Sequence, residues 1–318
     1  MYKSNHHQSE HAMSATGKIH RRIIFETVGA TIMEVKSLSR AFWFLTEVTR
    51  ELHLWHIAGR VHNNISIENI VILNGHAKLG DMDYAKHDED ERHDVCMDTT
   101  AFVAAEVHRG YYILLGCKYG PVIIPSPPSS PQPYKELDVT DLMATMSAMA
   151  TDEEPEAAFQ PNPLHDLESL LWVALFLVFE TVLGVDRAPD VTDKQWDGYE
   201  RAQHLLAAAL FGFRDFDGTR SLIITSSAAF GYMLKDLHPR VAEICRQLDV
   251  ALVALGNAYL IAEGWPRRLS FEDILSQKFA HPWIPGERVS LHKRFAVVFV
   301  RLSKLLLAGD QDIMFSTS

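Results

Sequence analysis

The stretch from Arg60 to Ala85 reads RVHNNISIENIVILNGHAKLGDMDYA. Two short apolar runs, Ile70-Val71-Ile72-Leu73 and Ala77-Lys78-Leu79, flank Asn74-Gly75. That dipeptide tolerates the left-handed backbone of a two-residue turn, so the pattern predicts an antiparallel hairpin. Polar groups stand on both sides of its open end. His62-Asn63-Asn64 and Asn69 precede the first run, and the acidic triplet Asp81-Met82-Asp83 follows the second. A hairpin brings its two ends together, so these groups are expected to meet in space although they are distant in the chain.

Working outward, Ser39 is the expected N-cap of a helix running to about His56. Ala41, Leu45, Val48 and Leu52 recur there at helical spacing, and Phe42 and Trp43 widen the apolar face. Ala58-Gly59 ends it. Further upstream, Lys18 to Phe25 reads as a strand centred on Ile23-Ile24-Phe25. Residues 1–17 are polar, and His6, His7 and His11 belong to a solvated tail. Downstream of the hairpin, the charged run Lys86 to Asp94 reads as a loop. Residues 108–163 carry PVIIPSPPSSPQPY and TDEEPE, too polar to bury much surface, and read as a mobile insertion with one short helix near Leu142 to Met149. The run from His165 to Glu180 is apolar on nearly every side and must be buried on nearly every side. Helical patterns follow at Glu200–Phe211, Ala228–Lys235 and Val241–Ala262. Ser270 with Asp273 then gives a start like a capping box, and an amphipathic helix runs from Leu291 to Leu307.

Composition bounds the function. Of 318 residues, 47% are apolar and 22% charged, the balance of an ordinary globular chain. A formal net charge of −11 argues against a protein that tracks nucleic-acid phosphates. Cys96, Cys117 and Cys245 are widely spaced, which points to reduced thiols inside a cell. The N-terminus has no apolar signal core. The apolar run Leu170 to Phe179 is far short of the ~20 residues of a membrane span. The expectation is an intracellular protein whose partner is another protein, with neither nucleic acid nor membrane bound.

The ordered set of motifs resembles a protein kinase, and most closely the fungal-type protein kinase family. The chain shows His62-Asn63-Asn64-Ile65-Ser66…Asn69-Ile70, then Asp81-Met82-Asp83, then Thr99…Phe102…Ala104…Glu106, then His165-Asp166-Leu167-Glu168-Ser169. The late segment Arg268-Leu269-Ser270…His281-Pro282-Trp283 fits the same layout. The resemblance implies an α+β, mainly α fold: a kinase-like C-lobe with a remnant of N-lobe strands and hinge. It divides the chain into a disordered tail (1–17), remnant strands and hinge (18–38), and a catalytic-loop and activation-segment region (39–107). The insertion (108–163), the helical remainder of the C-lobe (164–310) and a tail (311–318) follow.

The resemblance also implies roles. Asn64 stands at the position of the catalytic Asp, in a catalytic loop with His62 and Asn69. Asn69 and Asp81 are the implied metal and cofactor ligands for Mg-ATP. Glu106, Asp166 and Arg268 are structural, with Asp166 anchoring the catalytic-loop backbone and Glu106 pairing with Arg268. Three departures bear on activity. Asn64 is an amide and cannot act as the base, a loss that typically costs about 10²–10⁴-fold. Asn63 replaces the Arg that would read a phosphorylated loop. No G-x-G-x-x-G precedes the loop, and Lys36, in Met33-Glu34-Val35-Lys36, only faintly imitates the strand Lys. Five strands and a helix need about 40 residues before loops, more than residues 1–38 hold. The leading expectation is therefore a catalytically impaired, pseudokinase-like protein acting as a binding or scaffolding module. The alternatives are an active ATP-dependent Ser/Thr kinase whose N-lobe is missing from the gene model, and a decayed gene product without activity.

Overall fold

The computed structural model describes residues 29–87, 100–110, 112–113, 159–180, 191–212, 216–263, 271–284 and 286–308. In chain order the elements are β1 (Ala30–Thr31), α1 (Leu38–Ile57), β2 (Arg60–Val61), β3 (Ile70–Leu73), β4 (His76–Leu79) and β5 (Lys86–His87). There follow α2 (Ala105–Arg109), α3 (Pro163–Glu180), α4 (Asp193–Phe211), α5 (Phe216–Thr225), α6 (Ser227–Met233) and α7 (Pro239–Ala262). The last are α8 (Phe271–Ser276), β6 (Phe279–Ala280), β7 (Arg288–Val289) and α9 (Leu291–Ala308). Helices dominate the described residues, and the sheets are small and antiparallel.

The hairpin forms where the sequence places it. β3 and β4 pair with Ile70 opposite Leu79 and Leu73 opposite His76, and β1 adds on the other side of β3. Asn74 and Gly75 take φ of 52° and 81°, the left-handed pair that such a turn needs. The outer edge of β4 is covered by α1. Glu47 accepts the Ala77 amide at 2.8 Å, and Glu51 accepts that of Leu79 at 3.3 Å. Edge amides that would otherwise invite another strand are thereby satisfied.

At the centre lies α3. Asn162 caps it by accepting the Leu164 amide at 2.9 Å, and Pro163 supplies a first residue whose φ already suits a helix. Every residue from Pro163 to Leu175 is buried, and Leu177 to Phe179 are buried as well. α1, α4 and α7 pack on it. α1 and α9 lie antiparallel, with Ser39 bonded to the Ser303 carbonyl near one end and His56 to His292 near the other. α7 packs on both α3 and α9, and it approaches α5 closely enough that a Cβ at Gly256 would sit 2.3 Å from the Ile224 carbonyl oxygen. Among the described residues α7 alone is long and apolar enough to cross a membrane. Its Ile244, Leu248, Leu252 and Leu255 instead belong to the shared core.

Several expectations change in detail. α1 starts at Leu38 with Ser37 as its cap, accepting the Arg40 amide at 3.2 Å. Ser39 lies inside the helix, buried, because its hydroxyl is claimed by α9. α4 begins seven residues before Glu200, at a capping box of Thr192 and Gln195. α5 was not anticipated. Lys36 lies exposed on the connector into α1 and is not a strand residue. The expected strand at Lys18–Phe25, the short helix near Leu142 to Met149, Ser270 and most of the insertion lie outside the described residues. So do Cys96 and Cys117. Cys245 is buried in α7, where burial pushes its thiol up to about 12 and makes it inert.

Asp249 of α7 is a partly buried carboxylate with only one oxygen satisfied. Ser227 donates to its Oδ2 at 2.9 Å, whereas its Oδ1 is buried with no hydrogen-bond partner. Burial pushes its carboxyl up to about 6, against the lowering effect of Ser227. The folded state therefore favours the protonated form, and this contribution to stability is complete below about pH 4 and lost as pH rises through about 6. Asp249→Asn is expected to be more stable than the parent at pH 8, with the advantage shrinking towards pH 4. Denaturant melts of both proteins across that range check it.

Candidate functional site

Asp166 sits 1% exposed on the first turn of the central helix, and three donors converge on it. The amides of His62 and Asn63 donate to Oδ2 and Oδ1 at 2.7 and 2.9 Å, and His56 Nε2 donates to Oδ2 at 2.9 Å. Burial pushes the Asp166 carboxyl up, but the bond and charge of His56, the charge of His62 and the His62 amide outweigh it and hold the carboxyl below its usual range. The relay continues, since His56 Nδ1 lies 2.7 Å from His292 Nε2 at the start of α9. Burial, then the charges of His56 and His53, push His292 down to about 2, so it stays neutral.

With its amide tied to Asp166, Asn63 adopts φ 61°. The chain then turns so that three successive side chains reach the segment after β4. His62 Nε2 donates to the Gly80 carbonyl at 3.1 Å while its Nδ1 accepts the Asn64 amide at 3.3 Å. Asn63 Nδ2 donates to the Tyr84 carbonyl at 3.4 Å. Asn64 Nδ2 donates to Asp81 Oδ2 at 2.8 Å. Asn69 Nδ2 closes the loop on itself through the Asn64 carbonyl at 2.9 Å, and Ser66 Oγ accepts the Asn69 amide at 3.3 Å. Asp81 is exposed and has φ 54°. Asn and Asp are the non-glycine residues that take this left-handed conformation most readily. The hairpin thus brings Asn64, Asn69 and Asp81 together, with His62 buried beneath them. Asp83 is exposed beside them, in the short 3₁₀ turn Met82–Tyr84.

A second set of buried polar groups holds the segment from Ala101 to Ile113. Glu106, fully buried, accepts His165 Nε2 at 3.0 Å and the Ile113 amide at 2.8 Å. The His165 tautomer follows from its other nitrogen, which accepts the Asn162 amide at 2.9 Å. Burial pushes His165 down to about 4 against the raising effect of Glu168, Asp166 and Glu263, so the contact is a hydrogen bond from a neutral ring. Glu168 accepts the Ala105 amide at 2.7 Å, Trp172 Nε1 at 2.9 Å and the Tyr259 hydroxyl at 2.5 Å. Arg220 is fully buried with its guanidinium over the Trp172 ring, and it donates to the carbonyls of Leu210, Val103 and Ala101.

Arg268 lies outside the described residues, and with it the expected Glu106–Arg268 pair. What is seen at Glu106 is His165 and the Ile113 amide. Sequence reasoning missed His56, Glu168, Arg220, Tyr259 and His292. The one available signal was charge within an otherwise apolar helix, as at Glu168 of His165-Asp166-Leu167-Glu168-Ser169. At the base of the insertion, the Tyr112 hydroxyl accepts the Gln160 amide at 3.1 Å and its ring lies 5.1 Å from that of Phe159. Tyr112 on one side of residues 114–158 and Phe159 and Gln160 on the other are therefore in contact.

A family model described as fungal protein kinase matches residues 2–178, more than half of the chain. No curated protein and no solved structure matches significantly.

Removing the Asp166 carboxylate leaves two loop amides and the buried His56 without their acceptor. Asp166→Ala is expected to cost about 3–5 kcal/mol, since each buried donor left without its acceptor costs about 1–3 kcal/mol. Hydrogen exchange should speed up most at the amides of His62 and Asn63. Chemical denaturation with residue-resolved exchange measures both.

Proposed function

We propose that this chain, which belongs to the fungal protein kinase family, is a catalytically impaired member that works inside the cell as a binding or scaffolding module for a protein partner. The observation that carries this reading is the state of Asn64. It stands where the family's loop places its catalytic base, and its Nδ2 is donated to Asp81 Oδ2. A side-chain amide has no basic site to take a proton from an attacking hydroxyl. The substitution therefore removes the general base.

The family uses Mg-ATP in general. The bonds to Asn64 engage Asp81 through Oδ2 and Asn69 through Nδ2. The atoms remaining, Asp81 Oδ1 and Asn69 Oδ1, are hard oxygen donors of the kind that Mg²⁺ accepts alongside phosphates. These two residues fit the cation and would hold it. When bound, it would neutralise charge on nucleotide phosphates. Around it, His62 keeps the loop seated on Gly80, and Asp166 keeps the loop backbone in register.

The retained Asn69–Asp81 pair also favours a second reading, an active ATP-dependent Ser/Thr kinase, and the two part company in one assay. Phosphoryl transfer from labelled ATP to generic acceptor proteins, with Mg²⁺ or Mn²⁺, is expected to stay at background for the parent chain. Transfer that is clearly above background and vanishes in Asp81→Ala overturns the impaired reading and establishes the second. A gain in rate in Asn64→Asp is expected on the second reading alone, and a variant that stays inert removes that reading.

A further inference from the structure

We propose that Asn64 is a positioning residue that closes the site without a cation. Its side-chain amide holds Asp81 directly, a task that a carboxylate at position 64 would perform only through a shared cation. Three bonds cross between residues 62–64 and 80–84, and two of them end on backbone carbonyls. The third, from Asn64 to Asp81 Oδ2 at 2.8 Å, is the one that reaches a side-chain carboxyl group, and it is the shortest of the three. Its sense is unambiguous, because a carboxylate only accepts, so Nδ2 must face Asp81.

The donor is itself fixed. Asn64 is 8% exposed, its carbonyl is held by Asn69 and its amide by His62, so its side chain leaves the backbone from a set position. The acceptor needs holding, since Asp81 combines exposure with a left-handed φ of 54°. An Asp at position 64 would put two carboxylates within hydrogen-bonding distance of each other. Their repulsion would open the crossing unless a divalent ion lay between them. With Asn the crossing is already closed, and a cation is left Asp81 Oδ1 and Asn69 as ligands. The inference uses the reading of the site above only to say where a cation sits. It does not depend on whether phosphate is transferred.

The test is thermal unfolding of the full chain in EDTA and in millimolar Mg²⁺ or Mn²⁺, for the parent, Asn64→Asp and the exchanged pair Asn64→Asp/Asp81→Asn. The parent is expected to gain less from the cation than Asn64→Asp does, because its crossing is closed before any cation binds. Asn64→Asp should melt lower in EDTA, by on the order of 3 °C for a chain of this size, and recover most of that with the cation. The exchanged pair restores one amide and one carboxylate across the same gap, and Asn tolerates the left-handed position. It should melt near the parent in EDTA, with little response to cation. The proposal is overturned if Asn64→Asp melts with the parent in EDTA, if its loss is unmoved by cation, or if the exchanged pair stays as low as the single variant. Because the readout is stability, a failed transfer assay and a failed latch are separate results.

Discussion

One buried carboxylate organises the described part of the molecule. Ionised Asp166 is costly inside a protein core, and it is tolerated because two backbone amides and an imidazole surround it. Each donor belongs to a different requirement of the fold. The amides of His62 and Asn63 seat the loop that carries Asn64 and Asn69. His56 ties α1 to α3 and, through His292, ties both to the start of α9. The loop's unusual backbone at Asn63 persists because Asp166 holds it from below. The geometry of the candidate site is therefore a consequence of how three helices pack.

The same device recurs around Glu106, Glu168 and Arg220. The described contacts of these buried groups are largely neutral. They include backbone amides and carbonyls, a neutral histidine, an indole and a phenol. Burial raises the Glu168 carboxyl, and burial with the charge of Glu168 raises the Tyr259 hydroxyl. Such networks specify one arrangement, because a shifted partner leaves a desolvated group unsatisfied. Here they fix residues 101–110 and Ile113 on α3 and α5.

On the reading proposed above, Asn64 plays two separable parts: its amide offers no proton acceptor, and it supplies a donor to Asp81.

Much of this was legible in the chain itself, wherever the cause is local. Asn74-Gly75 between two apolar runs sets the hairpin, because left-handed φ and strand periodicity are properties of neighbouring residues. The continuous apolar run after Asp166 sets a buried helix, because no face of it can meet water. The motif order places Asn64, Asn69 and Asp81 at one end of the hairpin. What tertiary structure alone decided is where each polar group finds its partner. Ser37, not Ser39, caps α1, because Ser303 of a helix some 264 positions away engages Ser39. Arg220 serves carbonyls more than a hundred residues earlier, and backbone acceptors leave no mark in sequence. His56 and His292 meet only because α1 and α9 lie antiparallel. Periodicity records which face of a helix is buried, whereas a hydrogen bond between distant elements depends on their packing, and that exists only once the chain has folded.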